Sequence, residues 1–320
     1  MRVVQARADR KRAVGFRAVV ALLGAAALLT LGWQWYSARG PAHAAATADA
    51  PLAPASVRWL PQRVVEGTLL YIIIEGGDPA VQAASGLFAG EPLHFRMEES
   101  GALVALAAAP LDSTGGVLLR LELTHADGSR DTRRIEIMVA AGEYSMEVLS
   151  VAPQFGRPQP PDVQQRIADE AARAREVSAT SHTTPRLWQP PFVAPRDSRI
   201  TSGFGHGRTF NGRVQSRHTG TDFAGAVGAP VRAPGRGKVA LVDDFYLGGG
   251  VTYLDHGAGL VTGYLHLSAQ EVAEGDIVER GQIIGRVGAT GRVTGPHLHW
   301  IVRYGTQSVD AASLLNLPAY

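Results

Sequence analysis

Three short segments of the sequence contain side chains that could together bind a metal ion and move protons. They are His218–Asp222, Tyr264–Leu267 and His297–His299, and they hold four of the ten histidines. Imidazole nitrogens and carboxylate oxygens are ligands of Zn²⁺. Because the chain has no cysteine that could supply a thiolate, a zinc site here would be built from His, Asp and Glu.

The spacing within these segments indicates how the side chains could meet. In His297-Leu298-His299 the two rings would project from one face of a β-strand, with Leu298 directed to a core on the other face. A catalytic zinc usually has three protein ligands and one water. His218, Asp222 and one histidine of the pair would supply three ligands. The other histidine of the pair and His266 would then be available for proton transfer or for stabilising an oxyanion.

The stretch from about residue 202 to residue 310 resembles the lysostaphin-type, LytM-like (M23 family) zinc metallopeptidases, because an ordered set of motifs occurs at matching separations. The matching segments are Ser202–Gly205, His218 with Asp222, Gly228–Ala233, Asp255–Gly257, Tyr264–Leu267, Val278–Gly285 and Thr290–His299. The resemblance implies zinc on His218, Asp222 and His299. It implies that His266 and His297 are the catalytic histidines.

The resemblance also implies an activity, that of a zinc metalloendopeptidase. Together with the export expected from the N-terminal segment, it points to the peptide cross-links between peptidoglycan stem peptides as the substrate. Some relatives are instead non-catalytic LytM-like binding modules, which activate a partner murein hydrolase and have lost metal ligands. All five positions are intact here, which favours the enzyme. One departure is Ile301, where many family members have a glutamate that is not a metal ligand.

Other polar residues near these motifs have two interpretations. Arg208 and Asn211 precede His218 in the sequence and either contact substrate or organise the loop around it. His206 is a further candidate for lining the substrate cleft. His256, within Asp255-His256-Gly257, is predicted to be a structural turn histidine whose ring bonds the backbone. His94, in the N-terminal part, is interpreted as a solvated strand histidine.

The N-terminal residues 1–44 read as a targeting segment. Basic residues precede an apolar run from Ala18 to about Trp33, and Ala42-His43-Ala44 is a cleavage pattern. A cleaved signal peptide is the favoured interpretation. The alternative is an uncleaved membrane anchor through residues 18–36, because the run is long and ends in aromatic residues. Both place the rest of the chain outside the cytoplasm, in the periplasm or cell envelope.

The overall charge is misleading because the leader is basic. The chain has 31 basic and 29 acidic side chains, of which residues 1–44 hold seven basic and one acidic. The remaining chain therefore has 24 basic and 28 acidic side chains and is mildly acidic. A nucleic-acid partner would need a basic surface, so none is expected.

The fold class is predicted to be mostly β, with a short tether over residues 45–55 and two β domains after it. Residues 56–150 have short strand-like segments and a hairpin signal at Asp127-Gly128, which favour an Ig-like sandwich. Residues 151–196 read as a linker with a helix over about 162–177, capped by Asp162. Such a helix either has a solvated face or covers the cleft. Residues 197–320 are predicted to form the antiparallel β peptidase domain, punctuated by glycine.

Overall fold

The computed structural model describes residues 53–320. The leader or anchor expected over residues 1–44, and most of the tether that follows it, lie outside the described residues. No described helix is both long enough and apolar enough to cross a membrane. The described part of the chain is mostly β, as the sequence predicts, and it packs as one compact unit.

The N-terminal part is built from two facing sheets. Its strands are β1 (Ser56–Leu60), β2 (Val64–Val65), β3 (Leu69–Glu75), β4 (Val81–Phe88), β5 (Glu91–Pro92), β6 (Arg96–Met97), β7 (Leu103–Ala108), β8 (Gly115–His125) and β9 (Arg130–Ala140). Strand β10 (Met146–Leu149) follows them and belongs to neither sheet. The strand orders are β1-β3-β7-β6 and β2-β9-β8-β4-β5. Apolar side chains from both sheets, such as Ile72 and Leu121, form one buried core between them.

Two local predictions in this part had different outcomes. The turn at Asp127–Gly128 joins β8 to β9, with Gly128 at φ +81°, which confirms the hairpin signal. The alternating sequence of Leu93–Met97 favours a strand, but only Arg96–Met97 pairs with β7. The difference arises because the Leu93 amide is used next to the β4–β5 pairing, where it donates to the Gly86 carbonyl of β4 over 3.0 Å.

Strand β3 is apolar on both of its faces because it lies between two cores. Leu70 and Ile72 point into the sandwich, whereas Tyr71 and Ile73 point into a second core that includes the C-terminal part. This two-sided burial explains why the sequence from Leu69 is a continuous apolar run rather than an alternation. The sandwich is therefore attached to the C-terminal part through a buried apolar interface.

The C-terminal part is an antiparallel sheet with short additions. Its strands are β11 (Ile200–Ser202), β12 (Gly207–Phe210), β13 (Val214–Arg217), β14 (Thr221–Ala224), β15 (Pro230–Arg232), β16 (Gly237–Phe245), β17 (Gly249–Gly257), β18 (Leu260–Gln270), β19 (Ile277–Val278), β20 (Ile283–Val287), β21 (His297–Tyr304) and β22 (Gln307–Val309). The main order is β11-β14-β21-β18-β17-β16-β19. A short helix over Ala311–Leu315 follows. Strand β10 pairs in parallel with β12 and so extends the β12–β13 hairpin.

The linker helix α1 (Pro161–Thr180) begins at a proline, which has no amide hydrogen to leave unbonded. Asp162 lies in its first turn and is not the cap, because Pro160 takes that position. Its buried side chains, which include Glu170 and Ala174, face β16, β17 and β18 on the outer side of the sheet. After the helix, Trp188 and Phe192 are buried in the C-terminal core.

Candidate metal centre and cleft

The histidine pair predicted to share a strand face lies at the start of β21. Leu298 is fully buried in the core, so His297 and His299 project to the other face, as their spacing requires. The neighbouring strand β14 pairs Asp222 directly with His299. Cross-strand partners have Cβ atoms about 5 Å apart, so this register alone brings the carboxylate to the imidazole.

Three donor atoms meet at this point, as the sequence predicts. His218 Nε2 lies 3.1 Å from Asp222 Oδ1 and 3.0 Å from His299 Nδ1, and His299 Nδ1 lies 2.7 Å from Asp222 Oδ1. The three residues form a group whose ligand atoms all lie within 4.8 Å of one another. Each side chain is buried or nearly so, which excludes water from most of the space around the donors.

The hydrogen-bond pattern of this group fits a bound cation. His218 Nδ1 lies 2.5 Å from the Gly203 carbonyl oxygen, which can only accept, so Nδ1 carries the hydrogen. A neutral His218 therefore turns the lone pair of Nε2 toward Asp222 Oδ1, another acceptor. Burial lowers the pKa of His299 to about 4, although the Asp222 carboxylate favours its charged form. A metal ion bound by all three atoms would accept the lone pairs of His218 Nε2 and Asp222 Oδ1, which otherwise repel each other.

The second oxygen of Asp222 is held by Arg208. Arg208 Nη2 donates to Asp222 Oδ2 over 2.6 Å and to Ser202 Oγ over 2.8 Å. Glu147, from β10, accepts from Arg208 Nε over 2.8 Å and from Ser202 Oγ over 2.6 Å. Burial raises the pKa of Asp222, but its contacts with the His218 and His299 rings outweigh burial and hold the pKa well below its ordinary value. The carboxylate is therefore fixed in its charged, ligating form.

His266 reaches the same cleft through a distortion of β18. It has φ +64°, in the left-handed region that residues other than glycine rarely adopt. The pairing of β17 with β18 shifts register next to it, between Gly250 and Thr252, as in a β-bulge that redirects a side chain. The His266 ring lies 4.9 Å from the His297 ring and 5.8 Å from the His299 ring, centroid to centroid.

Both of these histidines have one nitrogen bound to a backbone carbonyl. His266 Nδ1 donates to Thr290 O over 2.9 Å, and His297 Nδ1 donates to Gly295 O over 2.8 Å. Each neutral ring therefore keeps the lone pair of Nε2 for another partner. His297 Nε2 is 3.7 Å from Asp222 Oδ1, so it faces the candidate metal ligands. Burial, followed by the neighbouring His299 and His297, lowers the pKa of His266 well below its ordinary value.

All five side chains line one cleft of about 420 Å³. Residues of the β12–β13 hairpin and of the loop over residues 292–296 line it. Glu147 and Leu149 of β10 also line it, whereas no residue of α1 does. The helix therefore does not cover the cleft, and the segment next to the site is instead the short strand that leaves the sandwich.

The remaining predicted residues take different positions. Arg208 lines the cleft and bonds Asp222, whereas the other two candidates do not line it. His206 Nδ1 lies 2.5 Å from Ser145 Oγ, and Asn211 bonds the backbone of Val151 on both its amide and carbonyl. These two side chains hold the segment around β10. His256 bonds the Arg236 carbonyl over 2.8 Å, as its structural interpretation predicts, but it lies in β17 and not in a turn.

Sequence reasoning missed Glu147, Phe210 and Arg292, which also line the cleft. Glu147 lies 61 residues before Arg208, and no local pattern links the two. The alternation of Met146-Glu147-Val148-Leu149 was the available signal, since it is compatible with a short strand.

Comparison with known proteins finds a family match for part of the chain. Residues 216–311 match the model of peptidase family M23. The peptidoglycan DD-endopeptidase ShyB of Vibrio cholerae serotype O1 is 46% identical over 115 residues, which cover 35% of this chain and 27% of that protein. The DD-carboxypeptidase/endopeptidase Mpg of Neisseria meningitidis serogroup B is 40% identical over 117 residues, covering 37% of this chain and 27% of that protein. The chain thus spans only 27% of the length of either relative.

The likeness to solved structures extends further along the chain. A crystal structure attributed to peptidase family M23, from Pseudomonas aeruginosa, superimposes with a TM-score of 0.60 and 27% sequence identity. The match covers 79% of this chain and 95% of that one. It therefore includes residues outside the 216–311 segment.

Proposed function

The chain carries a domain of peptidase family M23 over residues 216–311, and from this premise we propose that it is an exported, zinc-dependent endopeptidase that hydrolyses peptide cross-links of peptidoglycan. The observation that carries the proposal is the convergence of three metal-ligand atoms and two further histidine rings in one open cleft. The names of the two curated relatives, both endopeptidases, support the reaction. The extracytoplasmic location rests on the leader-like sequence of residues 1–44.

Zinc would be held by His218, Asp222 and His299, whose two imidazoles and one carboxylate suit it. When bound, zinc supplies Lewis acidity, which polarises a carbonyl group and makes water a stronger acid. Arg208 and Glu147 keep the Asp222 carboxylate in position from behind. The Gly203 carbonyl fixes the tautomer of His218, so that Nε2 faces the site.

His297 is assigned to proton transfer. Its Nδ1–H is fixed by Gly295 O, so the free Nε2 can accept a proton from the attacking water and give it to the leaving amine. The ring is part exposed, with 15% of its side chain accessible, which leaves it open to the substrate. In the balanced reaction the water oxygen joins the carbonyl carbon, the C–N bond breaks and the proton ends on the amine.

His266 is assigned to the tetrahedral intermediate. Its ring is bonded to the Thr290 carbonyl and packed beside His297, so it can change position little during the reaction. The low pKa of the resting ring leaves Nε2 without a proton. The negative charge of the intermediate raises that pKa, so Nε2 can take up a proton from solvent in the cleft and donate a hydrogen bond to the oxyanion. The cleft is lined by residues of the β12–β13 hairpin and of the 292–296 loop, among which the substrate peptide would lie.

The test is cleavage of purified peptidoglycan by the full chain, with the released fragments identified by mass. We expect cross-linked dimers to be converted to monomers with the addition of one water per bond. His299→Ala and Asp222→Ala should lose both zinc and cleavage, whereas His297→Ala should lose cleavage and keep zinc. His125→Ala, in the sandwich, is the matched control and should keep both. A His297→Ala protein with normal cleavage would remove the assigned role.

The alternative is a non-catalytic module that binds peptidoglycan and activates a partner hydrolase. Such a module need not hold stoichiometric metal and would release no fragments on its own. Elemental analysis of the purified chain therefore separates the two functions before any substrate is used.

A further inference from the structure

Arg292 is a positive charge in the cleft that the proposed chemistry does not use. It lies in the loop over residues 292–296, and its backbone amide is anchored to the Leu247 carbonyl over 2.9 Å. Its guanidinium carbon lies 4.0 Å from the centroid of the Phe210 ring, which also lines the cleft. The same cleft contains His266 and His297, so the guanidinium shares the space that a substrate would enter.

Within residues 53–320, the Arg292 guanidinium has no hydrogen-bond or ion-pair partner. The other two arginines that line the cleft differ in this respect. Arg208 is paired with Glu147 and Asp222, and Arg217 is paired with Asp112 over 2.6 Å. Every carboxylate that borders the cleft is already engaged by Arg208, so no acidic side chain of the cleft remains for Arg292.

The charge of Arg292 is incompletely compensated. Burial, followed by the like charge of Arg208, lowers the pKa of Arg292 to about 10, so the group is still cationic at neutral pH. Its nitrogens are not among the buried polar atoms without partners, so they keep some exposure to solvent, and the residue lines the cleft. An accessible cation in a partly dry site attracts an anion more strongly than one in water.

The shape of the group determines which anion fits. Stacking on Phe210 restricts the guanidinium plane, and a guanidinium held in one orientation offers parallel N–H donors that match the two oxygens of a carboxylate. We propose that Arg292 is a substrate-binding residue that recognises a free carboxylate on the peptide lying in the cleft. This proposal rests on the proposed function, since the carboxylate belongs to the peptide that the cleft would hydrolyse. It restricts the substrate class to cross-linked peptides with a free carboxylate near the scissile bond.

The test measures binding separately from hydrolysis. The full chain with His297→Ala is titrated with a purified cross-linked muropeptide dimer, and with the same dimer after its free carboxylates are converted to amides. The titrations are repeated with Arg292→Gln added. Arg213→Gln is the matched control, because it removes an exposed arginine of the neighbouring β12–β13 turn that does not line the cleft.

We expect Arg292→Gln to weaken binding of the free dimer about 10- to 100-fold, the range of a charge-assisted hydrogen bond. Amidation should weaken binding to the Arg292 protein by a similar factor and should have little further effect on the Arg292→Gln protein. Arg292→Lys should restore part of the affinity, since it keeps the charge without the planar fork. Arg213→Gln should bind both dimers as the parent does.

The proposal is overturned if Arg292→Gln weakens both dimers equally, because the side chain then acts only on cleft structure. It is also overturned if amidation leaves binding to the Arg292 protein unchanged, a measurement that holds even if Arg292→Gln fails to fold. Hydrolysis by the parent chain is assayed in parallel. If the parent binds the free dimer selectively but does not cleave it, the proposed function fails and the carboxylate site stands.

Discussion

Gly220 lies between two of the candidate metal ligands, His218 and Asp222. Adding one methyl group there, in Gly220→Ala, should weaken zinc binding without removing any ligand. A Cβ at Gly220 would lie 2.7 Å from His299 Cε1, from His299 Nε2 and from the Trp300 carbonyl oxygen. Ordinary contacts begin at 3.4 Å, so the methyl group of Gly220→Ala overlaps its neighbours by about 0.7 Å. The Trp300 backbone is fixed by pairing with Tyr264 and Thr221, so residue 220 must shift away from the Trp300 carbonyl and the His299 ring must move as well.

The size of that movement sets the expected effect. Metal sites tolerate deviations of about 0.2 Å in ligand distance, and the required shift is several times larger. We therefore expect zinc affinity to fall about 100-fold, the upper end of the range for disturbed supporting residues. This corresponds to about 2.7 kcal/mol. The backbone of Gly220 is not in the left-handed region, so the added cost to folding is that of overpacking, about 1–3 kcal/mol.

The assay is competition for zinc between the full chain and a chromogenic chelator, together with the melting temperature of the metal-free protein. Gly295→Ala is the matched control, because a Cβ there would meet nothing within 4 Å. Gly295→Ala should bind zinc as the parent does. If Gly220→Ala also binds zinc with unchanged affinity, the inferred dependence of His299 on this close approach is wrong.

Three further predictions concern the supports of the site. Arg208→Gln should lower zinc affinity about 10- to 100-fold in the same competition assay, because Asp222 loses the donor that orients its carboxylate. The control Arg286→Gln removes an ion pair with Glu271 of the same 2.6 Å length away from the site, and it should leave zinc affinity unchanged. Glu170→Ala should lower the free energy of unfolding, measured in urea, by about 1–3 kcal/mol, because Tyr246 N and the Arg166 guanidinium lose their acceptor. Cleavage should be unchanged. The control Glu176→Ala, at an exposed position of the same helix, should leave the free energy of unfolding unchanged. Removing metal with a chelator should lower the melting temperature, and stoichiometric zinc should restore it, because binding to the folded state alone is stabilising; an identical melting curve would contradict a metal in the native state.

The core of the site could be predicted because its geometry follows from local spacing. His297 and His299 lie two residues apart, and a strand places such residues on one face whatever surrounds it. The ordered motifs then identified His218 and Asp222 as partners. The continuous apolar run of β3 likewise predicted a strand, although its burial between two cores was visible only in the structure.

Features that depend on distant pairing could not be predicted in this way. The bulge that turns His266 into the cleft depends on the register between β17 and β18, which no local pattern specifies. The solvated reading of His94 was wrong because its ring bonds His182 over 2.9 Å, from a segment 88 residues away. The pairing of β10 with β12, which brings Glu147 to Arg208, is a contact of the same kind.

The most direct test of the metal centre is anomalous diffraction at the zinc edge from crystals of the chain grown with zinc. We expect one strong peak between His218 Nε2, Asp222 Oδ1 and His299 Nδ1, with His266 and His297 beside it and not bound to it. Stoichiometric zinc found elsewhere on the chain, with no peak among these three atoms, would contradict it.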